Sequence, residues 1–378
     1  PTLAAPSPAQ GILETWADYL CSRARAEASM AWTEPVHSKR QIDRAGEDLV
    51  RGDVLDEDRK SAAAVVANWR SSHAFPLNTL QMNLRQQAKK VEAAALVAQR
   101  LKRAHSIEFK LRRFPGMRLS RMQDLGGARA VMSTVPAVRS LLAGFDRSRS
   151  LHERVREDDY IETPKDSGYR SVHRVYRYRS NYANQQQWDG LLIELQFRSK
   201  LQHAWATAVE TVGTFLDQSL KSSQGSGDWL HLFKNISSAF AAREGCPAVP
   251  GTYEGAELLA FVRDESRRLG IAKKLNQFRA ALRHASSVER SKKTLFLMQL
   301  SADGTQLYLE SFPSMAVATD RYAEVERRVE TEGGDAVLVR ATSLDALRAA
   351  YPNYFLDTEQ FLSELDGLSA ARSGRRRA

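Results

Sequence analysis

The sequence predicts an α+β protein in which a mixed β-sheet is flanked by helices and followed by a small C-terminal αβ domain. Three observations lead to this fold class. Residues 12–110 show helix-type spacing of apolar side chains, strand-like and helical segments alternate over residues 127–244, and short strands and helices follow residue 291. A chain of 378 residues is long enough for two or three domains.

The N-terminal region is predicted to be helical, with helix-type segments at 12–20, 61–69 and 91–113 and a division at Pro76. We predict the last segment, VEAAALVAQRLKRAHSIEFKLRR, as one helix that ends before Pro115 and Gly116. Such a helix turns Lys102 away from four polar side chains that share one side, namely Arg100, Arg103, Ser106 and Lys110.

The central region is predicted to alternate between strands and helices. The strand segments are GARAVMS (127–133), SVHRVYRYRS (171–180) and LLIELQFRS (191–199), and the helical segments are 135–145, 201–216 and 229–244. The third strand alternates cleanly between apolar Ile193, Leu195 and Phe197 and polar Glu194, Gln196 and Arg198. This pattern is typical of a strand in a cleft wall, although a front that faces solvent gives the same pattern.

The segment CPAVPG, residues 246–251, is the clearest predicted domain boundary. Beyond it we predict one or two charged helices over 253–287, a β-β-α-β-α unit and a frayed basic tail. The predicted domains are an N-terminal helical region packed on the centre (1–84), a central domain (85–245), a C-terminal domain (252–367) and the tail (368–378).

Composition restricts the classes of partner. The net charge of +10 and the pI near 9.6 favour an anionic partner such as a nucleotide or nucleic acid. No apolar run has the length of a membrane span, so no membrane partner is expected. Cys21 and Cys246 are too few for a disulfide framework or a zinc site, and a cytoplasmic location is expected.

Two stretches near the centre carry side chains suited to phosphate or metal chemistry. The basic groups of RLKRAHSIEFK suit a polyphosphate, although a solvated helix has a similar composition. Asp124 precedes a glycine pair, where a carboxylate can ligate Mg²⁺ or cap a turn.

The loop DDYIETPKDSGYRSVH, residues 158–173, is the third such stretch. Pro164 stiffens it and Gly168 permits tight curvature. Tyr169 offers a ring that can stack on a base, and the cations suited to phosphates are Lys165, Arg170 and His173. Glu194, on the strand that follows, could ligate a metal or act as a general base. Taken singly, each of these residues also suits a structural role.

Taken in order, the motifs resemble the synthetase domain of the RelA/SpoT family from about Arg85 to Glu210, most specifically in YIETPKDSGYRSVH and IELQFRS. The resemblance implies transfer of pyrophosphate from ATP to a ribose 3′-hydroxyl, with release of AMP and with Mg²⁺ as cofactor. Many long members also carry a hydrolase half with a His-Asp dyad. This chain has no His-Asp dipeptide, so we expect synthesis without hydrolysis.

The resemblance also implies residue roles. Asp124 and Glu194 would be the catalytic pair and the metal ligands. The implied ATP-binding residues are Arg100, Lys102, Ser106, Lys110 and Arg129, with the two arginines on either side of the adenine. The implied acceptor-binding residues are Lys165, Tyr169, Arg170, His173, Gln196 and Arg198.

The C-terminal domain resembles that of the fused toxin–antitoxin type of the family, CapRel. Tyr351 and Tyr354 have a Tyr-x-x-Tyr spacing, and packing within a small core would also explain it. The resemblance implies that these tyrosines block the ATP side near Arg100 and Arg129 until a phage capsid protein releases them.

The acceptor implied by this type is the 3′-CCA end of tRNA, and we predict a tRNA-binding patch at Arg85, Lys89 and Lys90. Two alternatives stay open. One is a guanosine alarmone synthetase that uses GDP or GTP as acceptor, and the other is a catalytically inactive RNA- or protein-binding module.

Overall fold

The structure, a computed structural model, describes residues 32–51, 55–215, 227–273, 275, 283–286, 295–302, 306–340 and 358–370. In these residues the chain forms a mixed sheet of nine strands with helices packed against it, which confirms the predicted fold class. Along this part of the chain none of the helices combines the length and apolar character needed to cross a bilayer.

Three N-terminal helices pack on the sheet: α1 (Lys39–Val50), α2 (Asp56–Ser72) and α3 (Ala74–Val91). A capping box starts α1, because Ser38 accepts from the backbone N–H of Gln41 and the Gln41 side chain accepts from that of Ser38. Pro76 lies in the first turn of α3, where its missing N–H leaves no helical hydrogen bond unmade.

The central domain contributes five strands in the order β3-β4-β5-β2-β1. Along the chain they are β1 (Leu96–Leu101), β2 (Gly126–Met132), β3 (Glu153–Asp159), β4 (Val172–Arg177) and β5 (Leu192–Ser199). Strands β2 and β5 are parallel, and the other neighbours are antiparallel. The helices between and after them are α4 (Ala104–Arg113), α5 (Val135–Arg147), α6 (Lys200–Phe215) and α7 (Gly227–Glu244).

The prediction of one helix over 91–113 is wrong. Its middle is strand β1, and only Ala104–Arg113 is helical, as α4. Arg100 therefore lies on a strand and Lys102 in the short connection, so the expected helical side does not exist. Ala, Gln, Arg and Leu favour helices by propensity, but β1 pairs with a strand on each side, and this pairing decides the structure.

The C-terminal region adds α8 (Gly255–Leu269), β6 (Arg283–Ser286), β7 (Leu295–Leu300), β8 (Gln306–Phe312), α9 (Met315–Glu332), β9 (Asp335–Arg340) and α10 (Glu359–Ala370). Strand β6 lies where a helix was predicted, β3 was not predicted, and α10 continues to Ala370 in the predicted tail.

Contacts between described residues join the C-terminal region to the centre. Strand β9 pairs with β1, so the sheet is continuous from the central domain into the β7–β8 unit. One apolar cluster also spans the predicted boundary at 246–251, since Phe233 of α7 packs with Leu258 of α8 and Phe361 of α10.

Candidate active site

The polar face of the central sheet brings together predicted site residues from four strands. Opposed residues on neighbouring strands share a face. Two such rows cross the sheet here: one holds Arg100, Gly127 and Glu194, and the other holds Arg129, Gln196 and His173. Gly127 has no side chain and leaves space between Arg100 and Glu194. The opposite side of β5 is fully buried through Ile193, Leu195 and Phe197, which confirms the predicted alternation.

Asp124 lies between two lysines at the edge of this face. Its Oδ2 is 2.8 Å from Nζ of Lys102 and its Oδ1 is 2.9 Å from Nζ of Lys110. Burial favours the protonated carboxyl, but the two ammonium groups outweigh burial and hold the pKa of Asp124 well below its usual range. The Asp124 carboxyl is therefore ionised at neutral pH.

Two connected spaces border Asp124. A recess of about 50 Å³ is lined by Asp124 together with Arg100, Arg129 and Glu194. A larger cleft of about 980 Å³ runs from Asp124 along α4 and is also lined by Lys102, Ser106 and Lys110. The structure thus brings together both predicted catalytic acids and all five predicted ATP-binding residues.

The donor set fits Mg²⁺ only in part. Asp124 and Glu194 border the same recess, and Mg²⁺ prefers one or two carboxylates plus phosphate oxygens and water. Within the described ranges, no group of three or more His, Cys, Asp or Glu side chains could hold a metal ion. A magnesium ion here would therefore take most of its ligands from substrate and water.

Five side chains form a closed chain of hydrogen bonds, which we call the polar ring: Tyr169, His173, Glu194, Gln196 and Arg198. The Tyr169 hydroxyl is 2.8 Å from Nε2 of His173, whose Nδ1 is 2.9 Å from Oε1 of Glu194. Gln196 donates to Oε2 of Glu194 at 2.7 Å. Arg198 closes the ring by donating to Gln196 at 2.8 Å and to the Tyr169 hydroxyl at 3.1 Å.

The polar ring fixes the charge of Glu194. Burial alone would lower the pKa of His173, yet its contacts with Tyr169 and Glu194 outweigh burial and raise the pKa to about 9. Burial alone would raise the pKa of Glu194, but the hydrogen bond and charge of His173 hold that pKa below its usual value. At neutral pH the pair is an imidazolium and a carboxylate, both held in a set orientation.

The loop after β3 depends on Gly168. Its φ is +90°, and a Cβ there would lie 2.8 Å from Cβ of Ser237 and 3.1 Å from the ring of Trp205. Ser237 also donates to the carbonyl of Gly168 at 2.6 Å. Tight curvature at Gly168 was predicted from the sequence, whereas its close packing on α7 was not.

Arg170 was predicted to bind an acceptor phosphate, but the structure places its side chain in the protein framework. Its side chain is buried and donates to the carbonyls of Ile161 and Pro247 and to the hydroxyl of Ser237, at 3.1, 2.7 and 3.1 Å. All three partners belong to the protein framework, so Arg170 ties the loop to α7 and the segment after it. Arg198, predicted on the cleft floor, is also buried and acts within the polar ring.

Tyr169 was predicted to stack on the acceptor base, and in the structure its ring is buried beside that of Tyr160. Tyr169 is only 8% exposed and belongs to the apolar cluster around α6 and α7, so its ring face is covered in this structure. Tyr160, which was not predicted, lines the cleft and carries Nζ of Lys165 at 4.2 Å from its ring centroid. Stacking of Tyr169 on the acceptor base stays a prediction, while Tyr160 supplies an aromatic ring to the cleft.

Two further groups of residues were predicted. Tyr351 and Tyr354 are outside the described residues. Lys89 and Lys90, with Arg85, belong to the last turns of α3. Glu92, two residues after Lys90, accepts from the backbone N–H of Ser133. Ser133 lies just past the end of β2 that is farthest from Asp124. The two ends of β2 are roughly 20 Å apart along the strand, so the patch of Arg85, Lys89 and Lys90 does not border the cleft at Asp124.

The C-terminal region directly contacts the elements that carry predicted ATP-binding residues. Strand β9 pairs with β1 at Gln99 and Arg100. Glu326 of α9 accepts from Arg70 at 2.7 Å and from the backbone N–H of Ala104 at 3.1 Å. Ala104 is the first residue of α4, which has no side-chain cap from its own segment. Glu326 therefore caps the helix that carries Ser106 and Lys110.

Comparison with solved structures finds several that are similar to part of this chain. Similar solved structures include small alarmone synthetase 1 from Bacillus subtilis bound to its product pppGpp (23% identity, 45% of this chain and 88% of that chain, TM-score 0.39). Another is a GTP pyrophosphokinase family protein from Streptococcus pneumoniae (22%, 52% and 92%, TM-score 0.37). A third is small alarmone synthetase 2 from Bacillus subtilis (19%, 55% and 98%, TM-score 0.39).

Comparison with curated proteins gives no match. A family model described as "Region found in RelA / SpoT proteins" matches residues 99–213, the segment that runs from β1 into α6 and contains both acids. Over this segment the chain is therefore similar to RelA/SpoT proteins.

Proposed function

We propose that the protein is an autoinhibited pyrophosphokinase that transfers pyrophosphate from ATP to the 3′-hydroxyl of the tRNA CCA end. The observation that carries the proposal is the position of Asp124, held by Lys102 and Lys110 and bordering the same recess as Glu194. A transfer of this kind depends on alignment and on neutralising phosphate charge more than on covalent chemistry.

In the proposed reaction the acceptor oxygen attacks the β-phosphorus of ATP. The bond from that phosphorus to the oxygen shared with the α-phosphate breaks, and AMP leaves. Lys102, Ser106 and Lys110 hold phosphate oxygens, and Arg100 and Arg129 hold the adenine from the sheet. Glu194, ionised and oriented by His173, is positioned to accept the hydroxyl proton. Magnesium, when bound, supplies further neutralisation of phosphate charge.

The proposed autoinhibition rests on the contacts of the C-terminal region. Strand β9 and Glu326 touch β1 and the start of α4, the two elements that carry most of the proposed ATP-binding residues. A partner that binds the C-terminal domain, which we propose to be a phage capsid protein, would shift the balance between closed and open states. Release of the enzyme would then halt translation during infection.

A labelled-transfer assay tests the proposal. The full chain is incubated with ATP labelled at the γ-phosphate, with tRNA or with GTP, and with or without a phage capsid protein. We expect label on tRNA, and more of it with the capsid protein. Label on a guanosine nucleotide would instead support the alarmone synthetase, and no transfer under any of these conditions would support the inactive binding module.

A further inference from the structure

Two phenylalanines on the cleft wall are left open to solvent. Phe109 and Phe114 are 45% and 47% exposed, and both line the 980 Å³ cleft. Helix α4 buries its other face through Ile107 and Leu111. Phe109 therefore does not belong to the core-facing side, but shares the cleft side with Ser106, Lys110 and Arg113 at helical spacing.

Phe114 lies beside a cation, because the guanidinium carbon of Arg113 lies 5.5 Å from its ring centroid. Phe109 precedes Lys110 in the chain, and both side chains line the cleft. The opposite wall repeats this arrangement, because Nζ of Lys165 lies 4.2 Å from the ring centroid of Tyr160. Both walls of the cleft thus combine an aromatic ring with a positive charge.

Phe114 lies outward from the proposed reaction centre, whereas Phe109 lies between Ser106 and Lys110 on the cleft side of α4. Lys102 and Lys110 hold Asp124 at the inner end of the cleft, and Phe114 follows the last turn of α4. With a rise of about 1.5 Å per residue, Phe114 lies about 12 Å farther along the helix than Ser106. The cleft is therefore longer than the part that would hold the reacting phosphates.

We propose that Phe109, Phe114 and Arg113 form a stacking subsite for the unpaired nucleotides that precede the terminal nucleotide of an RNA acceptor. Aromatic rings bind bases of single-stranded nucleic acid through their faces, and neighbouring cations bind the phosphates between them. A mononucleotide acceptor has no nucleotide to place there. The proposal rests on the proposed function, since it adds a subsite to the same cleft.

Binding measurements on the full chain test the subsite without relying on turnover. The probes are a 5′-labelled single-stranded RNA ending in CCA and a labelled adenosine 5′-monophosphate, followed by fluorescence anisotropy. The variants are Phe109→Ala, Phe114→Ala and the double variant. Phe114→Tyr keeps a ring, and Tyr182→Ala removes a ring that is exposed outside the cleft.

We expect each alanine variant to weaken RNA binding about 5- to 100-fold, the range for loss of one stacked base. Phe114→Tyr and Tyr182→Ala should bind RNA like the wild type. Extending the probe from one nucleotide to CCA should raise the affinity of the wild type, and the double variant should lose this gain. The affinity of the double variant for ATP should equal that of the wild type.

Three results would overturn the proposal. The alanine variants could bind RNA as tightly as the wild type, or they could lose affinity for the mononucleotide and for the CCA probe to the same extent. The third such result is a wild type that does not bind RNA. Failure of the proposed function has a different signature. In that case RNA binding would still depend on the two rings, while no label would reach the RNA in the transfer assay.

Discussion

Asp124 is the side chain on which the proposed chemistry depends most. It is the only carboxylate among the described residues that lines both the recess and the cleft, and both of its oxygens are held by lysines. These lysines neutralise the carboxylate, and in the proposed reaction the same lysines hold phosphate oxygens of ATP. Asp124 therefore sets the positions of both lysines.

Replacing Asp124 by Asn should lower transfer at least about 100-fold, because the variant cannot hold a cation or set the positions of Lys102 and Lys110. Initial rates with saturating ATP measure the effect, and circular dichroism checks the fold. Asp166→Asn, at the rim of the same cleft, is the control and should keep most of the activity. Wild-type turnover of Asp124→Asn would contradict the assignment.

Titration of His173 should make the stability of the fold depend on pH in the alkaline range. Its pKa is raised to about 9 from 6.5, so the folded state binds the proton more tightly than the unfolded chain does. The resulting stability is fully present below pH 6.5 and is lost as the pH rises through 9, by up to roughly 3 kcal/mol. Urea unfolding between pH 6 and 10 measures this loss.

The variant His173→Gln should flatten this pH profile, because glutamine keeps hydrogen bonds but does not titrate. His231→Gln changes an exposed histidine of α7 and should leave the profile as it is. An unchanged profile in His173→Gln would show that the polar ring does not hold the extra proton.

At the scale of elements, the start of α4 depends on a side chain more than two hundred residues away. Glu326 caps this helix and pairs with Arg70, whose side chain is 4% exposed and lies 5.0 Å from the ring centroid of Tyr322. Removal of the acid leaves Arg70 buried without its partner. Loss of one member of a buried ion pair costs about 3–5 kcal/mol.

Glu326→Ala should therefore reduce the free energy of unfolding by about that amount, as measured by chemical denaturation. Glu324→Ala removes an exposed acid of the same helix that pairs with Arg321, and little change is expected. The pair Arg70→Met with Glu326→Leu should recover the stability lost to the unpaired charge of Arg70, while the backbone N–H of Ala104 still lacks its cap. Equal stability of Glu326→Ala and wild type would contradict the ion pair.

The sequence predicted elements whose pattern is local and missed those that distant partners decide. Strand β5 shows its buried and polar sides in its own alternation. Strand β1 does not, because its residues favour a helix and only pairing with β2 and β9 makes it a strand. Arg170 was placed in the site for a similar reason, since its partners Ser237 and Pro247 lie 67 and 77 residues away.

At the scale of the whole molecule, the C-terminal region is joined to the centre by sheet pairing, a buried ion pair and a shared apolar cluster.

Tyr351→Ala in the full chain should raise transfer, or toxicity on expression, without any trigger if the proposed autoinhibition holds. The transfer assay without a capsid protein measures this, and Tyr182→Ala is the control. Unchanged basal activity would contradict autoinhibition through Tyr351.

The salt dependence of binding should also distinguish the two possible acceptors. If tRNA is bound, several phosphates are contacted and the affinity should fall steeply as salt is raised from about 50 to 200 mM. A GTP acceptor should respond much less. A flat salt response of the affinity for tRNA would favour the guanosine alarmone synthetase.

The pairing of β1 with β9 has a consequence for deletion experiments. If the C-terminal strands were cut away, the backbone N–H and C=O groups of β1 at Gln99 and Arg100 would lose their partners. Unprotected strand edges recruit other chains and promote aggregation. A shortened protein could then be inactive because it self-associates, so point substitutions separate inhibition from solubility better than truncation does.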